Sequence, residues 1–135
     1  MSDGPGGGLR ILLVEDELAN RALIRAILAR AKAPALAGHV LHEAATIGAA
    51  RAILEAYSID VILLDVRLPD GSGLDLAAEV RASDRPAVRI IIVSASVLPA
   101  DRSQAVASGA DEFLGKPFGA ADLVNAIVGL VAESR

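Results

Sequence analysis

Apolar residues fall in two patterns along the chain, short unbroken runs and longer stretches where they recur every three or four positions. The runs are Ile11-Leu12-Leu13-Val14, Val61-Ile62-Leu63-Leu64 and Ile90-Ile91-Ile92-Val93. Four aliphatic residues in a row, many of them β-branched, predict strands buried on both faces. Leu18 to Ala31 shows the other pattern. Ala19, Leu23 and Ile27, with Ile24 and Leu28, are spaced for a helix, and Arg21, Arg25 and Arg30 fall elsewhere.

The remaining segments fit between these. Pro34 and Gly38 break the first helix and place a loop at Lys32 to Gly38. His39 to Ala44 is partly polar, as expected of a strand at a sheet edge. Thr46 is placed to cap a helix over about Ile47 to Ala56. Pro69-Asp70-Gly71 supplies a turn after the Val61–Asp65 strand, and Gly73 to Ala82 reads as a short helix with Leu74, Leu76, Ala77 and Val80 available for burial. Ser83-Asp84-Arg85-Pro86 is a loop before a strand over Val88 to Ser94. An Ala-rich helix starts at Pro99, Ala100 and Asp101 and stops at Gly109. Asp111 to Gly115 is a final strand, and Ala120 to Val131 a final helix with Leu123, Val124, Ile127, Leu130 and Val131 as its stripe. Strands and helices alternate throughout, which predicts one α/β domain: a five-stranded parallel sheet wound by right-handed crossovers, with helices on both faces. Residues 1–8 hold a Gly- and Pro-rich stretch expected to be a disordered lead-in, leaving 9–135 as the domain.

Composition narrows the class. At 135 residues the chain is long enough for a single hydrophobic core, and it has no cysteine, which excludes disulfides, zinc–thiolate sites and thiol catalysis. The aromatics are only Tyr57, Phe113 and Phe118, too few for a base-stacking platform, and a net charge of −4 leaves no electrostatic footprint for nucleic acid. No apolar run is long enough to span a bilayer and no signal-peptide pattern opens the chain, so the expected location is the cytoplasm.

The candidate chemistry lies at the strand ends. A strand as apolar as Val61–Leu64 ends in Asp65, and the first strand runs into Glu15-Asp16-Glu17. The fourth ends in Ser94 and the fifth in Lys116. In a parallel sheet these carboxyl ends share one edge, where open α/β sheets bind ligands. Carboxylates suit a hard cation such as Mg²⁺. A Lys and a hydroxyl suit phosphate oxygens, and a carboxylate can serve as nucleophile, so the set fits phosphoryl transfer. Each residue also has a plainer reading: Asp65 capping its own loop, the acidic triplet capping the helix behind it, Ser94 capping a loop, Lys116 solvated. Their joint arrival at predicted strand ends favours a site. His39 and His42, on the edge strand, are expected at the surface and not as ligands.

Leu13-Val14-Glu15-Asp16-Glu17, Leu63-Leu64-Asp65-Val66-Arg67-Leu68-Pro69-Asp70-Gly71, Val93-Ser94-Ala95 and Gly109-Ala110-Asp111-Glu112-Phe113-Leu114-Gly115-Lys116-Pro117-Phe118, in that order, resemble the receiver domain of two-component response regulators from Leu9 to about Val131. The resemblance implies a flavodoxin-like, doubly wound sheet of order 2-1-3-4-5 with five helices. It implies that Asp65 accepts a phosphoryl group from a histidine kinase or histidine phosphotransfer protein, with no enzymatic activity beyond Mg²⁺-dependent self-phosphorylation and dephosphorylation. Glu15 and Asp16 match the acidic pair that holds Mg²⁺, Asp16 directly and Glu15 mostly through water. With Asp65 and the main-chain carbonyl of Arg67 they make up the implied metal set. Ser94 matches the switch hydroxyl, Lys116 the phosphate-pairing Lys and Phe113 the switch aromatic; Lys116-Pro117 matches a bond usually cis in the family. The added charge would bias a bistable element and switch the face of the fourth helix, last strand and last helix towards a downstream protein target or, on activation, a second copy. The short, Ala- and Ser-rich fourth helix is expected to rearrange easily.

Several features depart from the family pattern. The first acid is Glu rather than Asp, the switch aromatic lacks a hydroxyl, and the Lys32–Gly38 loop reads as several residues longer than usual. Arg67 and Ser96 flank the site at positions expected to tune dephosphorylation. The chain stops just after the last helix, at Arg135, which suits a stand-alone receiver or one cut from a longer protein, and Met1 favours a stand-alone or N-terminal receiver. The alternative function is a phosphorylation-independent interaction module of the same fold, which the intact set Asp16, Asp65, Ser94 and Lys116 disfavours. An Asp-nucleophile phosphatase would carry an acid where Arg67 stands, and a flavodoxin would follow its first strand with a hydroxyl- and Gly-rich loop.

Overall fold

In a computed structural model, residues 8–83, 87–95 and 99–133 are described. The elements are β1 (Arg10–Val14), α1 (Leu18–Arg30), β2 (Val40–Ala44), α2 (Ile47–Ala56), β3 (Val61–Asp65), α3 (Gly73–Ala82), β4 (Arg89–Ser94), α4 (Pro99–Ala107), β5 (Glu112–Gly115) and α5 (Ala120–Glu133). The five strands form one parallel sheet in the order β2-β1-β3-β4-β5. This is the flavodoxin-like arrangement expected from the sequence, with helices on both faces.

Strand periodicity explains how the two faces are built. Leu12, Val14, Ile62, Leu64, Ile90 and Ile92 point to one side, against Ala50 and Leu54 of α2, Leu76, Ala77 and Val80 of α3, and Ala105 of α4. Ile11, Leu13, Val61, Leu63, Ile91 and Val93 point to the other, against Ile24 and Leu28 of α1 and Leu123, Ile127 and Leu130 of α5. Every one of these strand residues is at most 2 % exposed, which is why the runs show no polar alternation. The three central strands cannot shift register without losing both faces at once.

Elsewhere the expectations need adjustment. In α1 only Ile24 and Leu28 are buried, whereas Leu23 is 52 % exposed: the helix packs along one narrow line, and Leu23 lies off it. The Lys32–Gly38 loop contains a 3₁₀ turn, Pro34–Leu36, whose Leu36 is buried under the α1–α5 layer. Burying a Leu side chain is worth roughly 1.5–3 kcal/mol, enough to order a loop that its own turn residues would leave open. The turn after β3 is a two-stranded antiparallel hairpin, Arg67–Leu68 with Gly71–Ser72. Strand β2 does lie at the sheet edge, with Val40 exposed; His42 stacks at 4.3 Å on Tyr57, and His39 Nδ1 meets the Leu36 carbonyl. Residues 1–7, the 84–86 segment and Ser96 lie outside the described residues, as does the Asp101 side chain.

On the amino edge of the sheet, Arg81 of α3 acts as a clasp. It donates to the carbonyls of Gly109 at 2.7 Å and Val88 at 2.6 Å and pairs with Asp111, which also accepts the Ile90 N–H. Gly109 has φ +104°, and a side chain there would run into Arg81. The residues before β4 and β5 are thus tied to the end of α3.

Candidate functional site

The register places the strand ends in a row. Val14 pairs with Leu64, so Glu15 lies beside Asp65; Asp65 pairs with Val93, and Ser94 with Gly115, one residue before Lys116. Carboxylate oxygens of Glu15, Asp16 and Asp65 come within 4.8 Å of one another. Lys116 Nζ donates to Glu15 Oε1 at 2.9 Å and reaches Asp65 Oδ2 at 3.4 Å. Asp16, Asp65, Arg67, Ser94, Ala95 and Lys116 line a single cleft. Glu15, Asp16, Asp65, Arg67, Ser94 and Lys116 therefore stand together at the carboxyl edge, and Phe113 does not. Phe113 sits deeper, buried among the α2–α4 layer, with the Arg102 guanidinium of α4 at 4.9 Å from its ring centroid.

Their environments differ. Glu15 is 1 % exposed, and its second oxygen accepts the Glu17 N–H at 3.0 Å. Asp16 is exposed. Asp65 is partly buried, and burial is the main cause that pushes its carboxyl above the ordinary range; the Glu15 charge adds to this and Lys116 opposes it. Burial alone would lower the Lys116 ammonium, but its hydrogen bond to Glu15 and the charges of Asp65 and Glu15 prevail, and it is raised. Lys116 thus stays cationic and the acids beside it share one positive partner. Ser94 is buried at the mouth of β4, and the Lys116–Pro117 bond is cis.

Three residues support the site through contacts that the sequence did not signal. Gly73 opens α3 so close to β3 that a Cβ there would lie 2.0 Å from the Asp65 carbonyl oxygen. Asp70 accepts the N–H groups of Ile47 at 2.9 Å and Gly48 at 3.0 Å, capping α2 from the loop after β3. Arg21 of α1 donates to the Glu15 main-chain carbonyl at 2.8 Å. Asp70 acts across the fold, on amides 23 and 22 positions away, whereas Arg21 reaches a carbonyl only six positions away; each of the three works on a backbone group, which no side-chain pattern marks.

The donor set suits one group in particular. Three carboxylates within reach of a common point, with no nitrogen or sulfur among them, match the oxygen preference of Mg²⁺. Fold and site together define a receiver of the two-component type. The model of the response regulator receiver domain family matches residues 11–128, and the chain belongs to that family. Among curated relatives, it is 37% identical over 115 residues to the KDP operon transcriptional regulatory protein KdpE of Escherichia coli, covering 84% of this chain and 47% of that protein. It is 33% identical over 129 residues to the transcriptional regulatory protein GltR of Pseudomonas aeruginosa, covering 95% and 51%. The chain thus spans about half the length of these relatives. Among solved structures, the receiver domain of a Pseudomonas aeruginosa sensor histidine kinase, with a magnesium ion coordinated in its active-site cleft, superposes with a TM-score of 0.81 at 31% identity, covering 93% of this chain and 99% of that one. A CheY-like receiver domain from Methanospirillum hungatei gives 0.83 at 27% identity, covering 95% and 97%. No helix among the described residues is long and apolar enough to cross a membrane.

Proposed function

We propose that Asp65 is the phosphoacceptor of a two-component phosphorelay, taking its phosphoryl group from the phosphohistidine of a histidine kinase or histidine phosphotransfer protein in the cytoplasm. The observation that carries this is the placement of Lys116 between Glu15 and Asp65 at a cleft also lined by Ser94. An Asp65 carboxylate oxygen attacks phosphorus; the O–P bond forms, the P–N bond breaks, and the donor imidazole keeps the electron pair. Glu15, Asp16, Asp65 and the Arg67 carbonyl would hold Mg²⁺, which neutralises charge on the transferring group. Lys116 supplies a fixed positive charge for one phosphoryl oxygen, and the Ser94 hydroxyl donates to another.

The acyl phosphate replaces the single negative charge of the Asp65 carboxylate with roughly two and brings new acceptor oxygens to the place where Lys116 now satisfies two carboxylates. Lys116 and Ser94 respond at the ends of adjacent strands β5 and β4, and Phe113 lies on β5 three residues before Lys116. The change is read out on the α4-β5-α5 face by a downstream protein target or by a second copy of the chain. The chemistry confined to Asp65 makes this a switch with self-directed phosphoryl chemistry rather than an enzyme acting on a separate substrate.

The test is intact mass after incubation with Mg²⁺ and a small phosphodonor, beside an Asp65→Asn control. One added phosphoryl group, absent from the control and without Mg²⁺, is expected. No gain, even with phosphotransfer proteins present, would move the function to phosphorylation-independent protein binding.

A further inference from the structure

Glu15 is fixed from several directions. Its N–H donates to the Ala44 carbonyl at 2.9 Å, and its two carboxylate oxygens accept from Lys116 and from the Glu17 N–H. Its own carbonyl accepts from Arg21 Nη1 at 2.8 Å. That carbonyl belongs to the peptide joining Glu15 to Asp16, so whatever holds it sets how the two acids are presented together. Arg21 is itself anchored. Its Nε lies 3.6 Å from Glu43 Oε1 on β2, and Glu43 is gripped by Arg25 through two hydrogen bonds of 2.7 and 2.8 Å. The Arg21 side chain is only 18% exposed, which makes its contacts more persistent than those of a solvated arginine.

We infer that Arg21, anchored on Glu43, is a positioning residue for the acidic cluster: it fixes the Glu15–Asp16 peptide and with it the spacing at which these acids meet Asp65. This rests on the reading of that cluster as a divalent-cation site. Two effects of Arg21 on a bound cation oppose each other. As a nearby positive charge it repels the ion, so removing it would tighten binding. As the holder of the Glu15–Asp16 peptide it preorganises the ligands, so removing it would weaken binding. A hydrogen bond to the carbonyl of so buried a residue as Glu15 is rigid, whereas the charge is offset by Glu43. Positioning prevails.

The full chain is titrated with Mn²⁺, and free ion is read by electron paramagnetic resonance; circular dichroism checks that each variant is folded. Arg21→Ala is expected to lose about tenfold in Mn²⁺ affinity, in the range typical of residues that orient metal ligands. Glu43→Gln, which leaves the Arg21 charge and removes its anchor, should weaken binding in the same direction. Arg30→Ala removes a positive charge from an exposed position of α1, outside the Glu15–Arg21–Glu43–Arg25 chain of contacts, and should bind close to wild type. Arg21→Ala binding as tightly as wild type, or tighter, would overturn the inference. So would an Arg30→Ala loss equal to that of Arg21→Ala, which would mark general loosening of α1. Absence of Mn²⁺ binding by wild type would instead remove the cation reading beneath it.

Discussion

The ammonium of Lys116 lies 2.9 Å from Oε1 of Glu15, 101 positions away in sequence, and Glu15 is almost wholly buried. The pair joins the end of β5 to the end of β1 across the β3 and β4 strand ends. Removing one partner of a buried pair costs about 3–5 kcal/mol because the other charge is stranded. Lys116 retains 20% exposure, so water can partly replace it. Lys116→Met is therefore expected to lose about 2–3 kcal/mol in urea unfolding, and adding Glu15→Gln should recover most of that loss. A double variant no more stable than Lys116→Met would show that the pair is not what holds the edge together.

The raised Asp65 carboxyl gives a pH dependence whose sign is fixed. A group whose folded pKa lies above its unfolded value contributes stability that is full below the unfolded pKa and is lost as pH rises through the folded one. Ionised Asp65 therefore weakens the fold at neutral pH, chiefly through its burial. In the absence of divalent cations, Asp65→Asn should melt higher than wild type at pH 7. The gap should close as pH falls through the carboxylate range and Asp65 takes up a proton. A gap that widened towards acid would reverse the assignment.

Much of the fold was legible because its information is local or periodic. Buried strands announced themselves by unbroken runs, α2 by Thr46, which does accept the Ala49 N–H at 3.0 Å, and α3 by its exact span. The site was legible because parallel strands bring their carboxyl ends to one edge, so Glu15, Asp16, Asp65, Ser94 and Lys116 could be gathered without knowing any contact. What escaped depends on three-dimensional packing and on bonds from side chains to backbone groups. Leu23 has helical spacing yet faces out, since only the packed partner decides which stripe of α1 is covered. Leu36 looked like loop because its burial comes from the α1–α5 layer, not from its neighbours. Arg21 and Asp70 bind backbone groups on other elements, which no motif records.

Gly73 offers a test in which two effects have opposite signs. Ala is better than Gly in a helix by about 1 kcal/mol, so Gly73→Ala at the start of α3 would ordinarily stabilise. Here its Cβ would meet the Asp65 carbonyl oxygen at 2.0 Å and the carbonyl carbon at 3.0 Å. Both are backbone atoms of the strand that carries the proposed phosphoacceptor, and neither can swing away. Overpacking of this kind costs about 1–3 kcal/mol or more. Gly73→Ala should be destabilised in urea unfolding despite its helix propensity, and should also weaken Mn²⁺ binding, because β3 must move to admit the methyl group. A stabilised variant with unchanged Mn²⁺ binding would show that the close approach is not maintained in solution.

Asp70 links the loop after β3 to α2, and its carboxyl is held below the ordinary range, first by the Ile47 N–H and then by the Gly48 N–H. A group with a depressed folded pKa contributes stability that is present above its unfolded pKa and lost as pH falls through the folded one. At neutral pH the Asp70 carboxylate should therefore protect the Ile47 and Gly48 amides from hydrogen exchange. Asp70→Ala should speed exchange at those two amides while leaving Ala49, which Thr46 caps, nearly unchanged. Once intrinsic exchange rates are allowed for, wild type should approach the variant as Asp70 protonates in acid. Equal loss at all three amides would mean that α2 frays as a unit and that Asp70 contributes to the whole turn rather than to its two partners.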